Sequence, residues 1–269
     1  MKYAVIAGAA LALCAVAGTG LAAEHHDMKV PAYIKAAVDD PTRPDSDRMR
    51  DADRHPAAVL TFAGIKPGMK VGELMPSGSY YTRLLCRVVG DSGHVTGVNF
   101  KFQMQRPAGA GAGGGGRAGG RAGGPPRARP APAPIGCNNV DTSQQDASSF
   151  TLPSDLDVVW TTENYHDMHN PALGSPDMKQ LDMTVFNALK PGGEFIIEDH
   201  AAAAGHGTSD TNTLHRIDPK TVREEVESVG FKFAGESKVN ANPSDDHTQR
   251  VFALHDKTDR FLFKFRKPA

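Results

Sequence analysis

The stretch Met69–Thr82 constrains this chain most. A short apolar strand, Val71 to Leu74, carries an acid at its end in Glu73, a turn of small residues runs through Pro76, Ser77, Gly78 and Ser79, and a helix follows with Tyr81, Leu84, Leu85 and Val88 on one face. A strand, a tight turn and a helix in that order open the α/β folds that bind nucleosides. Small residues let the backbone approach a ligand, and the helix N-terminus presents unpaired N–H groups.

Around that unit the rest of the 269 residues alternates strand and helix. Pro56 starts a helix through Val59, Leu60, Phe62 and Ala63 that Gly64 closes, and His94 to Phe100 is a β-branched second strand. Val140 and its neighbours are a weak strand candidate, and Leu156 to Thr161 a buried one. A helix beginning near Pro176 puts Met178, Leu181, Val185 and Leu189 on one face. Leu189 to Gly193 reads as a helix exit and turn before the strand Glu194 to His200. Asp218 caps a helix with Pro219 in its first turn and Val222, Val226 and Val229 on its buried side. Phe231 to Glu236 and Arg260 to Phe265 close the chain as an antiparallel strand pair at the sheet edge. The alternation predicts a mostly parallel sheet with helices on both faces.

Two stretches stand outside this pattern. Residues 1–23 combine a basic start at Lys2, an apolar run from Ala4 to Val16 and small residues before Glu24, the order of a cleaved secretory signal peptide. The expected location is therefore periplasmic or secreted, with no membrane attachment once the signal is removed and an uncleaved anchor as the alternative. Residues 107–136 are almost wholly Gly, Ala, Pro and Arg, a composition unable to bury enough apolar surface to order itself. That tract reads as a disordered insertion between two halves of one domain, 56–106 and 137–269, and as dispensable for folding. It has no interleaved aromatics, and 30 Lys and Arg stand against 31 Asp and Glu overall, so no nucleic-acid partner is expected. Residues 24–55 form a polar N-terminal extension, with a short helix at Ala32 to Val38 and a charged run, Arg48 to Arg54, read as a solvated face or entry loop. Its first residues include His25 and His26, taken as an incidental rather than physiological metal site. Cys86 and Cys137 read as two unpaired buried thiols, with a bridge the alternative that an oxidising compartment permits.

The Glu73 to Ser79 loop and the Leu-Lys-Pro-Gly-Gly turn at 189–193 resemble motifs of the class I S-adenosylmethionine (SAM) methyltransferases, over roughly Ala57 to Pro268. Met75, Ser77 and Ser79 stand where that family has glycines, and Gly78 is retained. The chain is also similar to a family of secreted bacterial predicted methyltransferases, sharing Asn-Tyr-His-Asp at 164–167, Asp-His-Ala-Ala-Ala-Ala-Gly at 199–205 and Thr-Leu-His-Arg-Ile-Asp at 213–218. The resemblance implies a Rossmann-like, mostly parallel seven-stranded sheet and SAM as cofactor. Carried over, Glu73, Ser77, Gly78 and Ser79 would hold its methionine part, Asn99 its ribose in place of the usual acid, Asp146 and Ala147 its adenine, and Asn164 would also line the cofactor site. An amide at 99 loses the two-acceptor grip of a carboxylate.

At the ends of the fourth and fifth strands, Tyr165, His166, Asp167, Asp199 and His200 would meet at the carboxyl edge, with His215 in a loop over them. A His held by a carboxylate is a candidate base for transfer to an oxygen or nitrogen acceptor. No His-x-x-x-His helix is present, and no metal ligands are assigned. Three readings remain: an exported methyltransferase acting on a small molecule, a non-catalytic binding protein using the nucleoside cleft, and a His/Asp metal-dependent enzyme.

Overall fold

The computed structural model describes residues 29–102 and 133–269. The signal segment, His25 and His26, and most of the Gly/Arg tract lie outside the described residues. Seven strands form one sheet: β1 (Lys70–Leu74), β2 (His94–Phe100), β3 (Val140–Gln145), β4 (Leu156–Thr162), β5 (Leu189–His200), β6 (Lys232–Ser237) and β7 (Arg260–Arg266). Their order across the sheet is β3-β2-β1-β4-β5-β7-β6, parallel from β3 to β5, with β7 antiparallel to both β5 and β6. The edge pair thus forms as the sequence predicts. The turn at 190–192 is instead drawn into the exposed start of β5, where the register with β4 shifts between Leu156 and Val158.

Side chains of period two bury both faces. Val158, Trp160, Ile196 and Leu262 face one layer, with Val59 and Leu60 of α4 (Pro56–Ala63) and Leu84, Leu85 and Val88 of α5 (Tyr80–Val89). Val159, Phe195, Ile197, Phe261 and Phe263 face the other, against Met168 of α6 (Tyr165–Met168), Leu181 and Val185 of α7 (Met178–Ala188) and Val222 and Val226 of α8 (Pro219–Ser228). Burial on both sides explains why β4 and β5 read as nearly unbroken apolar runs. Asp177 and Asp218 cap α7 and α8 by accepting from Lys179 N and Lys220 N.

The extension is part of the folded body. Its helices α1 (Ala32–Asp39), α2 (Asp45–Arg48) and α3 (Asp51–Arg54) lay Ile34 into the α4–α5 layer. Buried Arg43 grips Asp51 with two hydrogen bonds of 2.7 and 2.8 Å, and buried Arg83 of α5 grips Asp47 with two of 2.6 and 3.0 Å. Only the end of the charged run departs from the solvated face its composition suggests, with Arg48 exposed and Arg50 half-buried. Arg54 is 4% exposed and pairs with Asp256 at 2.8 Å and with Glu163. A charge can be buried when it has a partner, and those of Arg54 come from just beyond β4 and from Asp256 near the far end of the chain.

The thiols are likewise not free. Cys86 and Cys137 form a disulfide across 51 positions, fastening the chain that emerges from the Gly/Arg tract to α5. A crosslink closing a loop of this length stabilises by about 2–4 kcal/mol, largely through the unfolded chain. Replacing both cysteines by alanine should lower the unfolding free energy by that amount in denaturant titrations. An unchanged midpoint would contradict the bridge.

Candidate functional site

The parallel strands end at one edge, and the loops leaving that edge build the site. β1 pairs with β2 in the register Glu73↔Gly97 and Leu74↔Val98, and β2 pairs with β3 through Asn99↔Gln144. Glu73, Asn99 and Asp146 therefore lie at the carboxyl ends of three adjacent strands. Gly97 has no side chain at the place where Pro76 crosses; a Cβ there would sit 3.2 Å from the proline ring. The loop after β1 keeps a left-handed backbone at Met75 (φ 51°) and Ser79 (φ 60°) as well as at Gly78 (φ 69°). Two residues with side chains thus hold conformations that glycine adopts freely. Met75 joins the apolar cluster of Val98, Phe100, Ala147 and Phe150.

Above β1, β4 and β5 this edge opens into a chamber of about 570 Å³. Its walls include Glu73 to Pro76, Tyr80 and Tyr81 from the first unit, and Glu163, Asn164, His166, Asp167, His200 and His215 from the later loops. Arg50 and Arg54 close it from the extension, and Phe252, His255 and Asp256 from the segment containing α9 (Val251–Leu254).

Asp199 organises the floor. Its fully buried carboxylate accepts from the backbone N–H groups of His166 (2.7 Å) and His200 (2.8 Å) and pairs with His166 Nδ1 at 2.7 Å. Burial opposes a charge on the His166 ring, but Asp199 beside it holds its pKa above the ordinary value. With Nδ1 so occupied, Nε2 faces Asp167 Oδ1 at 3.4 Å. His215, itself left-handed at φ 58°, brings Nδ1 to 3.3 Å from the same oxygen and packs edge-on against Phe252. His200 is driven the other way: burial lowers its pKa to about 4 against the pull of Glu163 and Asp199, and its Nδ1 meets Thr258 Oγ1 at 2.7 Å.

Glu163 joins the walls. It sits at φ 57° just beyond β4 and pairs with Arg54 and with Arg260, the latter at 2.7 Å. Burial works against its charge, yet Arg54 above all, with His200 and Arg260, holds its carboxyl well below the usual range. Glu73 lacks such a partner. Its Oε2 is buried with no hydrogen bond among the described residues, and burial pushes its pKa up to about 7 against the smaller opposing effects of Thr82 and Arg83.

Of the residues singled out in the sequence, Glu73, Asn164, His166, Asp167, His200 and His215 meet at the chamber, with Asp199 directly behind His166. Asn164 donates from Nδ2 to Met75 O at 2.9 Å, tying the loop after β1 to the loop after β4. Gly78 and Ser79 lie in the loop beside it, and Ser77 in the same turn. Tyr165 goes elsewhere: it is buried with its hydroxyl directed to Asp182 (2.9 Å) and Glu225 (3.1 Å) and does not line the chamber. Asn99 is half-buried, Asp146 exposed at 3.5 Å from Lys101, and Ala147 buried; none of the three borders the chamber. The sequence reading missed Arg50, Arg54, Glu163 and Asp256. The clustering of charge at 48–54 is a local signal for Arg50 and Arg54 alone, and it does not reveal a partner.

Comparison with solved structures follows this geometry. A SAM-dependent methyltransferase from Aquifex aeolicus superposes with a TM-score of 0.50 at 13% identity, covering 84% of this chain and 98% of that one. The [4+2]-cyclase SpnF gives 0.50 at 15% identity, with 81% of each chain covered. The chain has the class I methyltransferase fold. No protein-family model matches it, and no curated protein matches it in sequence. In this methyltransferase fold the observed strand order turns back between β1 and β4, so the chamber lies at the switch point where open α/β sheets bind ligands.

Glu73 yields a pH prediction. Its folded pKa lies above the unfolded value, so the native state holds a proton that the unfolded state has lost between about pH 4.5 and 7. Stability therefore falls as pH rises through that window, by about 3 kcal/mol for this group. Glu73→Gln should match the wild type near pH 4 and exceed it increasingly up to pH 7 in denaturant titrations. Parallel pH profiles would show that Glu73 is not buried uncharged.

Proposed function

We propose that the protein is an exported SAM-dependent methyltransferase acting on a small molecule, with the cofactor along the ends of β1, β2 and β3 and the acceptor in the chamber. The observation that carries this reading is the orphaned Oε2 of Glu73, on a group held near neutrality by burial at the junction between the two. An ammonium arriving there would restore its ionised form and satisfy the oxygen, which fits the methionine end of SAM. Asn99 lies on the next strand for the ribose, and Asp146 stands as an acceptor beside the apolar patch of Ala147 and Phe150 for the base.

SAM, when bound, supplies an electrophilic methyl group. The protein's own contribution is on the acceptor side: His166, oriented by Asp199, lies with Asp167 and His215 at the chamber wall, where an acceptor hydroxyl or amine can be held and relieved of its proton. Tyr80, Arg50 and Arg54 line the same chamber. The signal pattern at residues 1–23 supports export, and a chamber of about 570 Å³ has room for a small acceptor.

A second reading has its own support. The chamber ends short of Asn99, and a [4+2]-cyclase is built on this same fold. A protein that binds a ligand in the chamber alone, without methyl transfer, fits those two facts.

Calorimetry with S-adenosylhomocysteine on the mature protein separates the readings. Binding should be weakened by about 1.5–3 kcal/mol in Asp146→Ala, the range for a hydrogen bond involving a charged group. Asn99→Asp should bind more tightly, because a carboxylate accepts from both ribose hydroxyls. No heat at millimolar ligand would remove the methyltransferase reading.

A further inference from the structure

The cluster of His166, Asp167 and His215 has a spacing that suits three ligands gathered around one ion. A charge-assisted His–carboxylate hydrogen bond closes to about 2.7–2.9 Å, as His166 Nδ1 does on Asp199 at 2.7 Å. The other two contacts remain longer: 3.4 Å from His166 Nε2 to Asp167 Oδ1 and 3.3 Å from His215 Nδ1 to the same oxygen. Two ligands bound at about 2.0–2.1 Å to one tetrahedral ion sit roughly 3.3–3.4 Å apart, the edge of that tetrahedron. One potential ligand atom from each of the three side chains falls within 4.8 Å of the other two.

We propose that His166, Asp167 and His215 form a two-histidine, one-carboxylate site for a divalent first-row transition metal, with its remaining position open to the chamber. Three independent features support it. The donor set of two imidazoles and one carboxylate suits zinc, cobalt or ferrous iron better than magnesium or calcium, which take oxygen ligands. The buried Asp199 carboxylate fixes the His166 ring through Nδ1 and leaves Nε2 for the ion, the usual outer partner of a metal-bound histidine. The His215 ring leaves a left-handed backbone and packs in a T-shaped contact with Phe252, beside Asp167 at the chamber wall. All three ligands border a chamber of about 570 Å³, where an oxygen of the bound small molecule can complete the coordination.

The site does not rest on the methyl-transfer reading. If that reading holds, the metal deepens it: coordination lowers the pKa of an acceptor hydroxyl, so the ion takes over the activation otherwise assigned to His166.

The test uses the full mature chain, stripped with a chelator and titrated with Zn²⁺ by calorimetry and with Co²⁺ by visible absorption, without SAM. One ion per chain is expected, and Co²⁺ should show the intense d–d bands of a low-coordinate site. Asp199→Asn, a positioning change, should weaken Zn²⁺ binding about 10–100-fold. His215→Ala and Asp167→Asn should weaken it further and abolish the cobalt bands; these two side chains are only partly buried, so the variants remain informative if Asp199→Asn fails to fold. Changing His25 and His26 together to alanine should alter nothing. Absence of binding at micromolar metal, binding unchanged in His215→Ala and Asp167→Asn, or binding lost with His25 and His26 would each overturn the proposal. Because S-adenosylhomocysteine binding is measured without metal, failure of either claim is read separately.

Discussion

One buried carboxylate, that of Asp199, joins the two halves of the site. Lying at the end of β5, it accepts the N–H of His166 from the turn after β4 and the N–H of His200 from its own strand. A fully buried carboxylate is costly unless its oxygens are occupied, and here the backbone supplies two of the contacts and the His166 ring a third. That arrangement decides which way the ring turns and therefore where its second nitrogen faces. The loop after β4, the orientation of His166 and the opening toward His215 all follow from it.

The same edge carries more charge than a folded interior normally tolerates. Arg54, Arg260, Glu163, Glu198 and Asp256 stand together beneath the extension, with Asn240 bonded to Glu198. Each ion there loses hydration, and the cluster persists because nearly every head group meets an opposite charge or an amide. Glu198 is the exception in kind: burial raises its pKa, and Arg260, the nearest counter-charge, offsets this only in part. The network fixes the extension as a wall of the chamber and makes the chamber polar on that side.

Much of the fold could be read from the chain because its signals are local. Alternating and continuous apolar runs marked β4 and β5, and Asp218 with Pro219 marked the start of α8. What could not be read depended on distant partners. Arg54 looks like a surface residue until Glu163, 109 positions away, is placed beside it. Cys86 and Cys137 are the two cysteines beyond residues 1–23, yet whether they bridge depends on the fold bringing them together across 51 positions. Tyr165 and His166 are adjacent in sequence, yet one enters the core beside Asp182 and the other lines the chamber. Immediately after a strand the helical or extended path of the next few residues decides such facing, and a one-residue difference reverses it.

In the proposed arrangement a nucleoside cofactor lies along Glu73, Asn99 and Asp146 with its sulfur toward the chamber. A crystal structure of the mature protein with S-adenosylhomocysteine tests it most directly. The account predicts the amino group within hydrogen-bond distance of Glu73, the ribose at Asn99 and the adenine beside Asp146. A ligand bound only among His166, Asp167 and His215, or bound away from the carboxyl edge of the sheet, would contradict it.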